Sequence, residues 1–188
     1  MLIWISGPTG AGKTTLTRCL RDGGYAAVGE DLLGGRLEQF ASDPKANCEP
    51  LQRHLMTARF ESWKKIRSAP GIVFDRSIDE DVNVFCKMHV HAGWLTENEF
   101  RNLAAFGQAL QEQMPNPDLI IFVTASLAVL LERVQHSGGP PQILHSLKDQ
   151  LVLYSDWLET RKEEKMLVDT SKVSEPAMTG FFRGIRTC

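Results

Sequence analysis

The sequence has few cysteines, and none of them forms a recognisable pairing or metal-binding pattern. The four cysteines are far apart in the chain, at Cys19, Cys48, Cys86 and Cys188. No C-x-x-C spacing is present, so neither a disulfide framework nor a zinc site is expected. We therefore expect reduced thiols in a cytoplasmic protein.

Long apolar runs are also missing. No stretch approaches the roughly 20 consecutive apolar residues that a membrane-spanning helix needs. Residues 1–6 are too short for a secretory leader and lack its positively charged flank. The sequence thus predicts a soluble protein with no membrane partner.

Neither sign of charge is in excess. The chain contains 21 lysines and arginines against 23 aspartates and glutamates, a formal net charge of −2. This balance does not favour a polyanionic partner, and DNA binding would need a local basic patch. The 188 residues, 43% hydrophobic and 23% charged, are typical of a soluble globular protein, and we expect a single domain over residues 1–188.

Short apolar runs alternate with longer amphipathic stretches, as in a parallel sheet covered by helices. We predict an α/β protein, with a three-layer α/β/α fold around a five-stranded parallel sheet. The predicted strands are residues 2–6, 25–28, 72–74, 119–123 and 166–168, the fourth lying centrally. The predicted helices are residues 13–22, most of 31–67 with a break at 42–44, 127–135, 143–163 and 175–185, and capping boxes at Ser77–Glu80 and Thr96–Glu99 begin two more.

The first predicted turn carries the phosphate-binding (Walker A) pattern. GPTGAGKT at 7–14 matches G-x-x-x-x-G-K-[ST] at every fixed position, between a strand and a helix. Glycines let backbone N–H groups converge on phosphate oxygens, and the helix N-terminus favours negative charge. Lys13 is expected to reach the β- and γ-phosphates, and Thr14 to bind Mg²⁺. The nucleotide-binding residues predicted here are Gly7, Thr9, Gly10, Ala11, Gly12, Lys13, Thr14 and Thr15.

The kind of phosphate-loop protein is indicated by the end of the third strand. A GTPase would carry an Asn-Lys-x-Asp stretch, which is absent, and this strand ends in Asp75-Arg76-Ser77. A carboxylate at the carboxyl end of a parallel strand lies where such sheets bind ligands. Asp75 can hold Mg²⁺ or its waters, or accept the proton of the attacking hydroxyl. Arg76 can stabilise the transferring phosphoryl group. The competing interpretation is a helix start with a surface salt bridge.

These residues resemble the deoxynucleoside kinase family. The resemblance covers roughly residues 2–156. It depends on the phosphate loop and four further segments: SDP at 42–44 through LQ at 51–52 to Arg59, VFDRSIDED at 73–81, PDLIIFVTAS at 117–126 and LLER at 130–133. It implies ATP and Mg²⁺ as cofactors and a small nucleoside or nucleotide as the acceptor. It also implies a homodimer, for which helical surfaces such as residues 82–90 are suitable. Thymidylate kinases share an Asp-Arg pair here, so a nucleotide kinase remains a second interpretation.

The resemblance also assigns roles at the acceptor. Glu30 would be the general base for a 5′-hydroxyl, although the adjacent Asp31 could replace it. Gln52 would read the base through its amide, which offers a donor and an acceptor side by side. Arg59 and Asp81 would form a charge-assisted pair beside the base. For Gln52 and Asp81 the competing interpretations are an exposed helix residue and first-turn capping.

The chain departs from the family in the lid. Its segment QHSGGPP at 135–141 contains no arginine or glutamate, and only Arg133 precedes it as a nucleotide-binding candidate. Ala41 stands where the family has a tyrosine for the sugar 3′-hydroxyl. Three alternatives therefore stay open: a monophosphate acceptor, a 5-hydroxymethylated base in phage DNA, and a non-catalytic nucleotide switch. The five histidines are interpreted as structural or solvated, and Trp63, Trp94 and Trp157 as packing residues.

Overall fold

The computed structural model describes residues 1–29, 35–138 and 141–185. Strands β1–β5 are Leu2–Ser6, Ala26–Val28, Ile72–Asp75, Leu119–Thr124 and Glu164–Asp169. Helices α1–α3 are Lys13–Asp22, Arg36–Ser42 and Pro44–Ile66. Helix α4 (Ile78–Glu80), a π-helical stretch (Asp81–Cys86) and α5 (Lys87–His91) form one continuous helical segment. Helices α6–α9 are Glu97–Gln111, Leu127–His136, Pro141–Thr160 and Met178–Ile185, with a 3₁₀ turn at Glu175–Ala177 before α9.

The strands form one parallel sheet in the order β2-β3-β1-β4-β5. This confirms the predicted five-stranded parallel sheet. The strand at 119–124 is internal, between β1 and β5, but β1 rather than β4 is the centre. The chain order reverses around β1, so the carboxyl ends of β1 and β3 lie side by side at the place where open α/β sheets bind ligands.

The sheet is buried on both faces, which accounts for the uninterrupted apolar strands. Trp4 and Phe74 lie in one core with side chains of α2–α6 and α8. Ile5 and Val73 lie in a second core with side chains of α1, α7 and α9. Successive strand residues therefore serve opposite layers, as the pleat requires, and the three-layer arrangement follows.

Several boundaries differ from the sequence-based expectations for identifiable reasons. The predicted break at 42–44 is a true helix boundary, because the Asp43 side chain accepts a hydrogen bond from the Ala46 N–H and begins α3. Tyr25 lies just before β2. Helix α8 begins at Pro141, which fits the first turn of a helix, and ends at Thr160 instead of 163. Among the described residues, no helix is long and apolar enough to cross a bilayer.

One of the two predicted capping boxes is wrong. Thr96 and Glu99 form the reciprocal pair of hydrogen bonds expected of a capping box. Ser77 does accept a hydrogen bond from the Glu80 N–H at 3.1 Å. The Glu80 carboxylate, however, points into the interior and bonds Ser6 and Tyr154 instead of the helix end.

Candidate active site

The phosphate loop has the backbone shape that its glycines permit. Gly7 has a φ of 141°, and a Cβ there would lie 1.9 Å from the carbonyl oxygen of Val123. Gly12, at a φ of 102°, is the N-cap of α1. The Lys13 ammonium is buried and donates to the Pro8 carbonyl oxygen at 2.9 Å. The loop thus turns its lysine back over its own backbone, at the amino end of α1.

Thr14 connects this loop to the end of β3. Its Oγ1 donates to Oδ2 of Asp75 at 3.0 Å. Asp75 is the last residue of β3 and is fully buried. The two residues predicted as magnesium ligands therefore lie within hydrogen-bonding distance of each other. Both offer oxygen, the ligand atom that Mg²⁺ prefers.

Arg76 adopts an unusual backbone conformation beside them. Its φ of 69° is the only positive value for a non-glycine residue in the described ranges. The guanidinium donates to Tyr154 Oη at 3.3 Å and to Thr9 Oγ1 at 3.5 Å. It lies 3.5 Å from the Glu80 carboxylate and 4.3 Å from the ring centre of Phe85. Left-handed backbone at a non-glycine residue is strained and is common at functional sites.

Glu80 and Tyr154 support that arginine, and the sequence did not identify either one. Glu80 is fully buried, accepts from Ser6 Oγ at 2.7 Å and accepts a short hydrogen bond from Tyr154 Oη. Burial raises the pKa of Glu80, which the Arg76 charge partly opposes. Burial raises the pKa of Tyr154 as well, so its hydroxyl remains a donor. The guanidinium is thus held by a buried acid and a neutral phenol.

Gln150 is a second residue that sequence reasoning missed. Its Oε1 accepts from the Thr9 backbone N–H at 3.0 Å and from Thr9 Oγ1 at 3.3 Å, and its Nε2 donates to Ser146. The side chain is 2% exposed. Gln150 and Tyr154 are four residues apart on α8, so they share the helix face turned toward the loop.

Arg133 braces the loop through carbonyl oxygens. Its Nη1 donates to the Gly10 carbonyl at 3.2 Å and to Thr170 Oγ1 at 3.0 Å, while Nη2 donates to the carbonyls of Thr170 and Val173, both at 2.8 Å. Thr170 Oγ1 in turn donates to the Ala11 carbonyl at 3.0 Å. The predicted nucleotide-binding arginine is therefore adjacent to the loop.

The predicted base-reading residues form a buried polar group on the other side of the β3 end. Arg59 Nε donates to Asp81 Oδ2 at 2.8 Å, and its Nη1 donates to the carbonyls of Asp75 and Arg76 at 2.7 and 3.2 Å. Burial raises the pKa of Asp81, and the Arg59 charge opposes that rise. Arg59 thus links the predicted base site to the predicted catalytic strand end.

Gln52 lies two helical turns before Arg59 on α3 and is 3% exposed. Its Nε2 is 3.1 Å from Nε2 of His89, and its Oε1 faces the Cys86 Sγ at 3.9 Å. The expectation that every histidine is structural or solvated therefore overlooked a contact with a predicted substrate residue. A lone buried histidine gives no sequence signal for such a contact.

The structure therefore brings together, on one edge of the sheet, the phosphate loop, Asp75, Arg76 and the Arg59–Asp81 pair. Glu30 and Asp31 lie outside the described residues. The residues that were missed have partners distant in the chain: 74 residues separate Glu80 from Tyr154, and 141 separate Thr9 from Gln150. The only local signal available was a polar side chain on a core-facing stripe of α8.

Comparisons with known proteins agree with this geometry. The family model described as deoxynucleoside kinase matches residues 3–175. A deoxyguanosine kinase of Lactobacillus acidophilus is 31% identical over 189 residues, covering 91% of this chain and 81% of the relative. The deoxyadenosine/deoxycytidine kinase of Bacillus subtilis is 29% identical over 165 residues, covering 84% of this chain and 76% of the relative.

A solved structure supports the fold independently. A deoxyadenosine kinase from M. mycoides with bound dATP superposes with a TM-score of 0.81, covering 100% of both chains at 20% identity. At that identity the likeness concerns the fold alone, and it agrees with the three-layer α/β/α phosphate-loop architecture described above.

Proposed function

The chain belongs to the deoxynucleoside kinase family, and from this premise we propose that it moves the γ-phosphoryl group of ATP, bound with Mg²⁺, to the 5′-hydroxyl of a deoxyribonucleoside. It is a phosphotransferase with a nucleotide donor and a nucleoside acceptor. The donor's identity, the metal, the position of the reacting hydroxyl and the role of each residue belong to the proposal.

One observation carries the proposal: the 3.0 Å hydrogen bond from Thr14 Oγ1 to Asp75 Oδ2. It joins the residue that follows the loop lysine to the acidic end of β3. A triphosphate held by the loop would have its terminal groups beside that carboxylate and beside Arg76. Both elements can therefore act on one phosphoryl group.

The donor set fits a magnesium–nucleotide complex. Thr14 and Asp75 supply a hydroxyl and a carboxylate, and Mg²⁺ typically takes one or two protein ligands and completes its shell with phosphate oxygens and water. In the described residues no three His, Cys, Asp or Glu side chains cluster as a metal site of their own. A bound magnesium ion would neutralise charge that develops on the β- and γ-phosphate oxygens.

We propose that Arg76 supplies the positive charge that lid arginines provide in the family. Its guanidinium already reaches Thr9, the third residue of the phosphate loop, and the Glu80–Tyr154 pair holds it there. An arginine supplied within the same chain can accelerate phosphoryl transfer by about 10³-fold or more. Arg133, engaged by carbonyls of the loop and of residues 170 and 173, is proposed to hold the loop in shape.

On the acceptor side, Gln52 with the Arg59–Asp81 pair is proposed to bind the base. Glu30 is proposed to accept the proton of the 5′-hydroxyl, an assignment that depends on the family resemblance. Ala41 in the place of a tyrosine implies weaker recognition of the 3′-hydroxyl. A dideoxynucleoside should therefore be a tolerated acceptor.

The test is a panel assay on the full chain with ATP and Mg²⁺. The acceptors are each deoxynucleoside, each deoxynucleoside monophosphate and DNA with 5-hydroxymethylated bases, and ¹H–³¹P coupling locates the transferred phosphate. We expect 5′-monophosphates from deoxynucleosides, and no product with Lys13→Ala. Transfer to monophosphates or DNA alone, or ATP binding without turnover of any acceptor, would contradict the proposal.

The proposed partners are accordingly small molecules. The net charge of −2 gives DNA no support. We extend the proposal to a homodimer through the helical surface at residues 82–90, as the resemblance implies, and to one kinase domain over residues 1–188. Sedimentation at micromolar concentration tests the dimer, with a monomer as the contrary result.

A further inference from the structure

His89 makes an uncommon contact with the residue proposed to read the base. It lies on α5, is 4% exposed, and its Nε2 is 3.1 Å from Nε2 of Gln52. Phe40 and Trp94 pack against the imidazole with ring centres 5.4 and 5.5 Å away. These two rings fix the orientation of the imidazole, so the Gln52 amide meets a rigid partner.

The chemistry of the contact defines which atom donates. Burial lowers the pKa of His89 to about 4, so the ring is neutral at physiological pH. An amide nitrogen can only donate a hydrogen bond, so the neutral Nε2 must accept it and the ring proton must lie on Nδ1. Within the described residues Nδ1 has no hydrogen-bond partner.

The opposite end of the Gln52 amide is fixed as well. Its Oε1 faces Cys86 Sγ at 3.9 Å, and burial raises the pKa of that thiol, which keeps its proton available as a weak donor. A glutamine without such neighbours can rotate its amide by half a turn and exchange donor and acceptor. Here Cys86 opposes the exchange, because the exchange would turn the amide nitrogen toward the thiol proton, and the amide N–H is therefore left for Nε2 of His89.

The surrounding groups favour one class of base edge. Arg59 directs its Nε and its Nη2 to the Asp81 carboxylate, at 2.8 and 3.5 Å, and its Nη1 to two backbone carbonyls. The groups that remain to contact a base are one amide N–H and the amide oxygen of Gln52, together with the carboxylate oxygens of Asp81, which accept. An exocyclic amino group beside a bare ring nitrogen supplies two donors and one acceptor, which complements this set. A base edge with a carbonyl beside a ring N–H has an acceptor where the amino edge has donors, and a donor where the amino edge has an acceptor.

We propose that His89 is a specificity-determining positioning residue: it fixes the Gln52 amide so that nucleosides with an amino-bearing base edge, adenine or cytosine, are preferred over their carbonyl-bearing counterparts. This inference rests on the proposed function, because it concerns the acceptor of the same reaction. The donation by Nε2 of Gln52 to the imidazole is the step on which it depends.

Two pairs of nucleosides test it, because the members of each pair differ at this edge alone: deoxyadenosine against deoxyinosine, and deoxycytidine against deoxyuridine. The wild-type chain should show a higher kcat/KM for the amino member. His89→Phe keeps a ring between Phe40 and Trp94 but removes the acceptor, so the ratio within a pair should fall about tenfold, the change expected for one ordinary hydrogen bond. The change should appear mainly in KM, and His89→Gln, which retains an acceptor, should restore part of the ratio.

The matched control is His91→Phe on the same helix. His91 is exposed and pairs with Asp149, so the ratio should stay at the wild-type value. If His89 had a merely structural role, both members of a pair would lose activity in parallel. An unchanged ratio in His89→Phe, or a wild-type preference for the carbonyl member, would overturn the inference.

A spectroscopic measurement keeps the inference testable if His89→Phe does not fold. Long-range ¹H–¹⁵N correlation of the wild-type chain should place the His89 proton on Nδ1, and a proton on Nε2 would overturn it. Failure of the two ideas is distinguishable. Turnover of nucleosides with an unchanged ratio removes this inference alone, whereas absence of turnover with every nucleoside removes the proposed function and this inference with it.

Discussion

Thr14 and Asp75 are 61 residues apart in the chain, yet a 3.0 Å hydrogen bond joins Oγ1 of the first to Oδ2 of the second. The bond ties the first turn of α1 to the carboxyl end of β3. Because the β1–β3 pairing places Ile5 beside Asp75, the register of the sheet fixes this relationship. The loop that would hold the phosphates and the acid that would hold the metal are one structural unit.

Asp75→Asn tests the charge in that unit. The amide keeps the size of the side chain and can still accept from Thr14, but it removes the negative charge that would attract Mg²⁺. We expect kcat to fall by about 10²–10³-fold, and the magnesium concentration for half-maximal rate to rise. Asp149→Asn, a change at a partly exposed carboxylate on α8, is the control. A normal magnesium dependence in Asp75→Asn would show that Asp75 does not bind the ion.

Arg76→Lys separates the guanidinium from its charge. Lysine keeps the positive charge and the same backbone requirement at a φ of 69°, so backbone strain is matched. A single ammonium cannot reach Tyr154, Thr9 and Glu80 together as the planar fork does. We therefore expect a fall in kcat of about 10²-fold. Arg53→Lys on α3 is the control, and equal rates for the two variants would contradict the role of Arg76.

The fold was predictable largely because its signals are local. The phosphate loop is a contiguous pattern, and β1, β3 and β4 are apolar runs bounded by turn residues. The Asp75-Arg76 pair could be placed at a strand end from those runs alone. What the sequence could not show was the partner of each polar residue in the interior.

Glu80 illustrates the limit. Its spacing from Ser77 matches a capping box. Only the packing of α8 against this segment shows that its carboxylate accepts hydrogen bonds from Ser6 and Tyr154. Such partners depend on how helices dock on the sheet, which hydrophobic periodicity alone does not specify. His89 and Gln150 went unrecognised for the same reason.

Tyr154→Phe measures how much the buried hydrogen bond between Tyr154 and Glu80 contributes to the free energy of unfolding. Removing the hydroxyl leaves a fully buried carboxyl without one of its donors, which should lower the free energy of unfolding by about 1–3 kcal/mol. Denaturant titration followed by tryptophan fluorescence gives the value. The only other tyrosine, Tyr25, is the matched control, because its hydroxyl contacts Met1 Sδ at 3.6 Å in an exposed position. Equal losses in the two variants would show that the Glu80 contact contributes nothing.

Glu30→Gln tests the proposed general base. The amide preserves shape but cannot take a proton, so the nucleoside KM should change little while kcat falls by about 10²–10⁴-fold. Asp31→Asn is the matched variant one residue later and should retain most of the activity. The reverse result, with Asp31→Asn inactive and Glu30→Gln active, would transfer the role to Asp31.

His89 should also make stability depend on pH. Its pKa falls from 6.5 to about 4 on folding because burial disfavours the charged ring. Between those values the unfolded chain binds more protons than the folded one, so the contribution is complete above pH 6.5 and is lost as the pH falls toward 4. A shift from 6.5 to about 4 corresponds to a loss on the order of 3 kcal/mol over that window.

The measurement is the free energy of unfolding between pH 7 and pH 4 for the wild type and for His89→Phe. The carboxylates titrate in both proteins, so the difference between the two curves isolates the histidine. We expect the variant to lose less stability on acidification than the wild type, while His91→Phe, altered at an exposed position, follows the wild-type slope. Parallel curves for His89→Phe and the wild type would mean that the pKa of His89 is the same in the folded and the unfolded chain, so that burial does not disfavour its charged form.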